Sequence, residues 1–276
     1  MALAALALVL TSALLHALWN ALLKRSRNVE AMSLGISVVA LTLTAAAVPW
    51  LPGRVLPGHR ALGWALGAGL FEGCYFLALI RALERAPLGF SYTWMRGSAV
   101  LVVWPVSMLF LGETLRVRSS LGVAGVCLGL GCLGLGGGRH ARGWAWAVTA
   151  GLFIGAYTLC YKLALDAGAH PVALFAIACA LSLPIQLAVR VARLGPRAAL
   201  APPEQKGLTL LAGILCTASF ILYLQALGMA GAGAMSTLRN TSVVFAVVCS
   251  GLLGEKPSAR QWAGACLVAL GAAGLA

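Results

Sequence analysis

Apolar residues run along this chain in blocks of about twenty, the length a helix needs to cross a bilayer. The blocks predict ten membrane helices. In the first half they cover Ala2–Leu23, Met32–Leu51, Ala61–Ile80, Leu88–Leu111 and Leu121–Leu135. In the second half they cover Gly143–Leu165, Pro171–Val191, Leu208–Leu227, Gly231–Leu253 and Trp262–Leu275. The fifth and tenth are short and rich in glycine. Polar gaps between blocks are brief and hold Gly, Pro, Arg and Ser. The longest, Ala192–Lys206, contains Pro196, Pro202 and Pro203. Neither half has room for a soluble domain. The N-terminus is apolar from Ala2 and lacks a basic signal-peptide region, so it reads as the first membrane helix.

The two sets of five repeat one another. Arg96 and Arg239 each lie about eight residues into an apolar block that ends in the same tripeptide, Leu111-Gly112-Glu113 and Leu253-Gly254-Glu255. Trp19–Lys24 (WNALLK) aligns with Tyr157–Lys162 (YTLCYK), and Arg81-Ala82-Leu83 with Gln225-Ala226-Leu227. Arg96-Gly97-Ser98 aligns with Arg239-Asn240-Thr241. The offset drifts by a few residues, as loop insertions would cause. Five is odd, so the second half enters the membrane from the opposite face. The expected fold is an all-α polytopic membrane protein of ten transmembrane helices in two inverted five-helix repeats, residues 1–138 and 139–276. Transporters built this way bind cargo near the bilayer midplane, where the repeats meet.

Composition sharpens this picture. Hydrophobic residues make up 61% of the chain and charged residues 10%, against about 25% charged in soluble domains. Twenty Lys and Arg against seven acids give a net charge of +13. Most bases lie in the gaps between apolar blocks, where they meet anionic headgroups. No basic helix or stacking platform points to nucleic acid. The eight cysteines all fall inside apolar blocks without a C-x-x-C pair, so they read as small packing residues. Gly129-x-Gly131-x-x-Gly134 resembles a dinucleotide fingerprint but follows no strand. The glycines from Gly122 to Gly134 read instead as a helix-packing face. No metal, nucleotide or other cofactor is expected.

The polar residues inside the blocks carry the candidate chemistry. An arginine in a membrane helix is costly, and one at matched places in two repeats is a candidate functional residue. Arg96 and Arg239 approach the midplane from opposite faces. Their planar donor sets suit a carboxylate, phosphate or phosphonate. The alternative is that each arginine pins a helix. Glu72 has no acidic partner in the repeat, where Cys216 falls. It reads either as an ion-pair partner of Arg96 or as a proton-coupling group. His16 and Asn20 are one turn apart and share a face with Trp19 nearby. His16 is either a proton switch or a structural hydrogen-bonded residue. Tyr157 is a further candidate cargo contact, with Tyr92, Trp94, Tyr223 and Gln225 as further residues that could line a cavity. Lys162 reads as an interfacial residue. Glu113 and Glu255 read as loop-fixing residues, and Pro105 and Pro184 as sites where helices kink.

The whole chain resembles the ten-helix EamA branch of the drug/metabolite transporter superfamily. The resemblance rests on LLHALWNALLK at Leu14–Lys24, YTWMRGSAVL at Tyr92–Leu101, LRNTSVVFA at Leu238–Ala246 and the two LGE endings. These pieces look like the subgroup associated with phosphonate-utilisation operons. The resemblance implies a multi-pass permease of the bacterial inner membrane that exports or exchanges small metabolites. Similar proteins often carry an acid near Tyr161, and this chain does not.

The reading is therefore a secondary transporter of a small polar, anionic metabolite, working by alternating access, with proton or exchange coupling. Its partners are that small molecule and the lipid bilayer. A membrane-embedded enzyme or a scaffold without transport is the alternative. No D-x-x-D or H-E-x-x-H cluster supports an enzyme, and no Walker motif supports direct use of ATP. Bases concentrate in the loops after blocks one, three, five, seven and nine, whereas the opposite loops hold only Arg54, Arg60, Arg116 and Arg118. The positive-inside rule then places both termini outside, while the resemblance implies cytoplasmic termini.

Overall fold

The structure, a computed structural model, describes residues 3–53, 55–114, 117–134, 141–252 and 258–275. Among these residues all regular structure is helical. The helices are α1 (Leu3–Arg25), α2 (Val29–Ala47), α3 (His59–Arg85), α4 (Leu88–Phe110), α5 (Val117–Gly134) and α6 (Ala141–Asp166). They continue with α7 (Pro171–Leu194), the single turn α8 (Pro196–Ala199), α9 (Lys206–Met229), α10 (Ala232–Arg239), α11 (Ser242–Leu252) and α12 (Ala259–Leu275). Among the described residues, eight apolar spans reach membrane-crossing length, counting α2 with its 3₁₀ extension to Trp50 and α10 with α11 as one each. The fifth and tenth blocks are α5 and α12, of 18 and 17 residues.

Large apolar side chains face outward along these spans. Leu101, Leu109, Leu121, Leu128 and Leu270 are all largely exposed. In water such a surface would be an association hazard; in a bilayer it is the lipid-facing belt. Exposed tryptophans stand near helix ends: Trp50 and Trp64 at one face, and Trp144, Trp146 and Trp262 at the other. That is the girdle expected where apolar rings carry a polar N–H at headgroup depth. The chain is thus an all-α, multi-pass membrane protein.

Packing partners come in matched pairs. α3 lies along α6 as α1 lies along α9, and α3 meets α7 as α2 meets α9. α4 meets α6 as α1 meets α10 and α11, while α5 with α12 and α2 with α7 pair across the divide. The same small device recurs in both halves. Lys24 donates to the carbonyls of Leu83 and Ala86 at the C-terminal end of α3. Lys162 donates to Leu227 O near the end of α9 at 3.4 Å and pairs with Asp166 at 2.8 Å. A cation at a helix C-terminus satisfies exposed carbonyls and complements the dipole.

Glycine sets the α5–α12 contact. A Cβ on Gly129 would lie 2.6 Å from Gly264 O, and one on Gly271 would lie 2.6 Å from Gly122 O. Gly125 faces Gly271, whereas a Cβ on Gly131 would meet nothing within 4 Å. The packing stripe is therefore Gly122, Gly125 and Gly129, spaced for one helix face. Of the triplet that mimics a nucleotide fingerprint, Gly129 lies in this stripe and Gly131 does not.

The ninth apolar block is interrupted rather than continuous. Asn240 N bonds to Thr237 O at 3.0 Å and Thr241 N to Leu238 O at 3.1 Å, both three-residue steps. Thr241 Oγ1 also donates to Leu238 O at 2.8 Å. Asn, Thr and Ser side chains compete with helical bonding, and three in a row close α10 just after Arg239. The matched stretch after Arg96, Gly97-Ser98, stays helical, with Ser98 Oγ donating to Trp94 O at 2.6 Å. Leu253 and the second LGE tripeptide lie outside the described residues.

Candidate functional site

Seven side chains marked by the sequence are buried in the bundle interior. Arg96, Arg239, His16, Trp19, Asn20, Tyr157 and Glu72 are each no more than 3% exposed. They come from α1, α3, α4, α6 and α10, so the site joins both halves of the chain.

His16 is the hub. Its Nδ1 lies 3.2 Å from Arg239 Nη2 and 3.2 Å from Trp19 Nε1. Its carbonyl accepts from Tyr92 Oη at 2.9 Å and from Asn20 Nδ2 at 2.9 Å. The imidazole also packs edge-on against Phe220, with ring centres 5.9 Å apart. Arg239 spreads over Tyr223 and Phe220 at 3.9 and 4.9 Å from the ring centres. Arg96 leans over the Tyr92 ring at 5.7 Å. His16 and Tyr157 lie in the fields of both arginines.

Glu72 departs from the expected ion pair. Among the described residues it makes no salt bridge with Arg96. Its carboxylate accepts from the Tyr161 hydroxyl. The reason is packing: α3 lies along α6, not along α4. Arg239 exerts an attractive field on Glu72. Tyr161 stands where the resemblance implies an acid, and it reaches a carboxylate supplied by the other half.

Several hydrogen-bonding atoms in this region are buried without a partner among the described residues. The donors are Arg96 Nη2, Arg239 Nε and Nη1, Asn240 Nδ2 and the Tyr157 hydroxyl; Asn20 Oδ1 is an unpaired acceptor. Buried polar groups are normally bonded, because an unmade bond costs about 1–3 kcal/mol. Guanidinium and amide N–H groups only donate. Donors therefore outnumber acceptors among these unpartnered atoms.

Other expected cavity residues separate. Tyr92 and Tyr223 join the cluster. Trp94 turns away, toward Trp144 of α6 at 5.5 Å between ring centres. It lines a cavity of about 350 Å³ between α4, α5 and α6. Gln225 is exposed. Sequence reading missed Phe220, which supplies a ring to both His16 and Arg239, and Asn240, whose side-chain amide is buried without a partner among the described residues. The Arg-Asn-Thr-Ser run at 239–242 is the signal that marks the break. Glu113 fixes a loop: both carboxylate oxygens lie 3.2 Å from Gly233 N, at the start of α10. Glu255 lies outside the described residues.

Residues 141–276 match the sequence model of the EamA-like transporter family. No curated protein matches the chain. The fold is similar to the crystal structure of a protein that is 19% identical, with a TM-score of 0.74 over 98% of this chain and 96% of that one. At this identity the likeness concerns the fold alone. The chain is thus a multi-pass membrane protein whose residues 141–276 are similar to the EamA-like transporter family.

Proposed function

We propose that this protein is a secondary transporter of a small anionic metabolite, exported or exchanged across the bacterial inner membrane by alternating access. The observation that carries this reading is the set of unpartnered donors on Arg96, Arg239, Asn240 and Tyr157, buried where the two halves meet. The cargo is a carboxylate, phosphate or phosphonate, because these groups match the guanidinium donors. The motif resemblance to the phosphonate-associated subgroup makes phosphonates the first compounds to try.

The division into inverted repeats, 1–138 and 139–276, belongs to the same proposal. The matched packing pairs and the recurring lysine at a helix end support it. In this reading α5 and α12 also cross the membrane and complete a set of ten. Interruption of one helix beside a buried charge is a feature of transporter sites near the midplane. Glu72, held by Tyr161 within the field of Arg239, is the candidate for proton coupling.

Flux into proteoliposomes tests the proposal. Carboxylates, phosphates and phosphonates should compete for uptake, whereas organic cations should not. Uptake of a cation with no anion competition would overturn it. A screen of thermal stability with added metabolites narrows the cargo, since a ligand of the folded state raises the unfolding midpoint.

A further inference from the structure

Away from the His16 cluster, α2, α7 and α9 part at the face where α7 ends and α9 begins. The gap is a groove of about 380 Å³. Its walls are mostly apolar, with Leu34, Val38, Leu187 and Leu210 along the helices and Pro203 at the loop end. Val38 and Leu210 are 46% and 52% exposed, and both lie on membrane-length helices. The groove therefore opens toward lipid.

One buried charge lines it. Arg190 is 3% exposed. Its Nη2 donates to Ala198 O at 3.3 Å, while Nε and Nη1 have no partner among the described residues. The acids at this end are engaged elsewhere: Glu30 with Arg193 at 2.8 Å and Glu204 with Arg27 at 3.7 Å. Lys206 lines the same groove. Arg190 sits four residues before the end of α7, about 6 Å of helical rise. That depth suits a headgroup phosphate rather than the bilayer centre.

We infer that this groove is a binding site for an anionic phospholipid. The free donors of Arg190 take the phosphate, Lys206 adds positive charge, and an acyl chain lies along the apolar walls of α2 and α9. A soluble anion would gain nothing from those walls, whereas each buried methylene of a lipid chain contributes about 0.8 kcal/mol. Bases crowd this face, with Arg25, Arg27 and Arg193 close in sequence to the groove's helices. Anionic lipids concentrate at such surfaces. The site is independent of the cargo assignment.

The test uses the full chain, delipidated in neutral detergent. Thermal unfolding is followed with added short-chain phosphatidylglycerol, phosphatidylcholine or inorganic phosphate, and native mass spectrometry counts retained lipid. Phosphatidylglycerol should raise the unfolding midpoint and be retained, while the other two should do neither. Arg190→Met should weaken this binding about tenfold or more, the loss of a charge-assisted hydrogen bond. Val38→Trp, which fills the groove and leaves the arginine intact, should also displace the lipid. Arg197→Gln, at an exposed position outside the groove, should leave retention unchanged. If Arg190→Met does not fold, Val38→Trp decides. Equal stabilisation by inorganic phosphate would overturn the lipid assignment in favour of a soluble-anion site. Retention unchanged in folded Arg190→Met or Val38→Trp would overturn the site itself.

Discussion

Arg239 of α10 donates to His16 Nδ1 of α1 across 3.2 Å, a bond that ties the two halves of the chain together. The guanidinium has no acceptor, so Nδ1 must carry a lone pair. Trp19 Nε1 points at the same nitrogen from 3.2 Å. In this arrangement His16 is therefore the neutral tautomer with its proton on Nε2. A proton on Nδ1 would face two donors and break the link.

That link is measurable as stability. His16→Ala removes the acceptor and leaves a third Arg239 nitrogen unpaired. The expected loss is about 1–3 kcal/mol, read as a lower unfolding midpoint in detergent. His16→Gln can place an amide oxygen near the same spot and should recover part of it. An alanine variant as stable as wild type would mean the bond carries no net stability.

Glu72 offers a separate test. Glu72→Gln keeps an oxygen that can accept from Tyr161 but cannot cycle a proton. Flux should lose its pH dependence while cargo binding stays near wild type. Tyr161→Phe removes the Glu72 partner and should cost about 1–3 kcal/mol, since a buried carboxylate is left unbonded. Wild-type flux with unchanged pH dependence in Glu72→Gln would rule out coupling through this carboxylate.

Much of this architecture was legible in the sequence for a simple reason. Bilayer thickness fixes block length, so the membrane-length helices follow from hydropathy alone. The site was half legible. Buried charge is rare enough in a membrane helix to mark Arg96, Arg239 and Glu72 individually. Pairing is a property of rotation about helix axes, which composition does not encode, so the sequence leaves Glu72 open between an ion pair with Arg96 and proton coupling, while packing turns it to Tyr161. The break after Arg239 was readable in Asn240-Thr241-Ser242 but was masked by the apolar block around it. Phe220 was invisible because one more phenylalanine in an apolar helix carries no distinguishing signal.

Glu113 should act on α10 at a distance from the cargo. Both its oxygens face Gly233 N in the first turn of that eight-residue helix. Glu113→Ala should cost about 0.5–2 kcal/mol, as loss of a helix cap does, and Glu113→Gln less, because an acceptor remains. Proteolysis rates and unfolding midpoints check the order. A Gln variant worse than Ala would show that the carboxylate does something other than cap.

The distribution of charge makes membrane orientation testable. The face bearing Lys24, Arg25, Arg81, Arg85, Arg193 and Arg197 carries most of the bases, and the face of the termini carries few. Both termini are expected outside by the positive-inside rule. A C-terminal alkaline phosphatase fusion should then be active and a fluorescent-protein fusion dark. A fluorescent, phosphatase-negative pair would reverse the assignment and place the Arg190 groove in the outer leaflet.

The cargo reading rests most directly on Arg239. Lysine there keeps the charge but loses the planar donor array and the stacking over Tyr223 and Phe220. Arg239→Lys and Arg96→Lys should insert normally yet bind anion more weakly. Loss of a charge-assisted hydrogen bond is about 1.5–3 kcal/mol, roughly 10- to 100-fold in affinity. A purely structural arginine behaves differently: its lysine variant either misfolds or transports as wild type. The discriminating measurement is anion affinity in a variant whose unfolding midpoint is unchanged. Native affinity in a well-folded Arg239→Lys protein would remove the main support for cargo binding by Arg239 and leave recognition to Arg96, which also has an unpartnered donor among the described residues. Only the double Arg96→Lys, Arg239→Lys protein can separate shared from single-site binding: shared binding predicts that the second substitution deepens the loss.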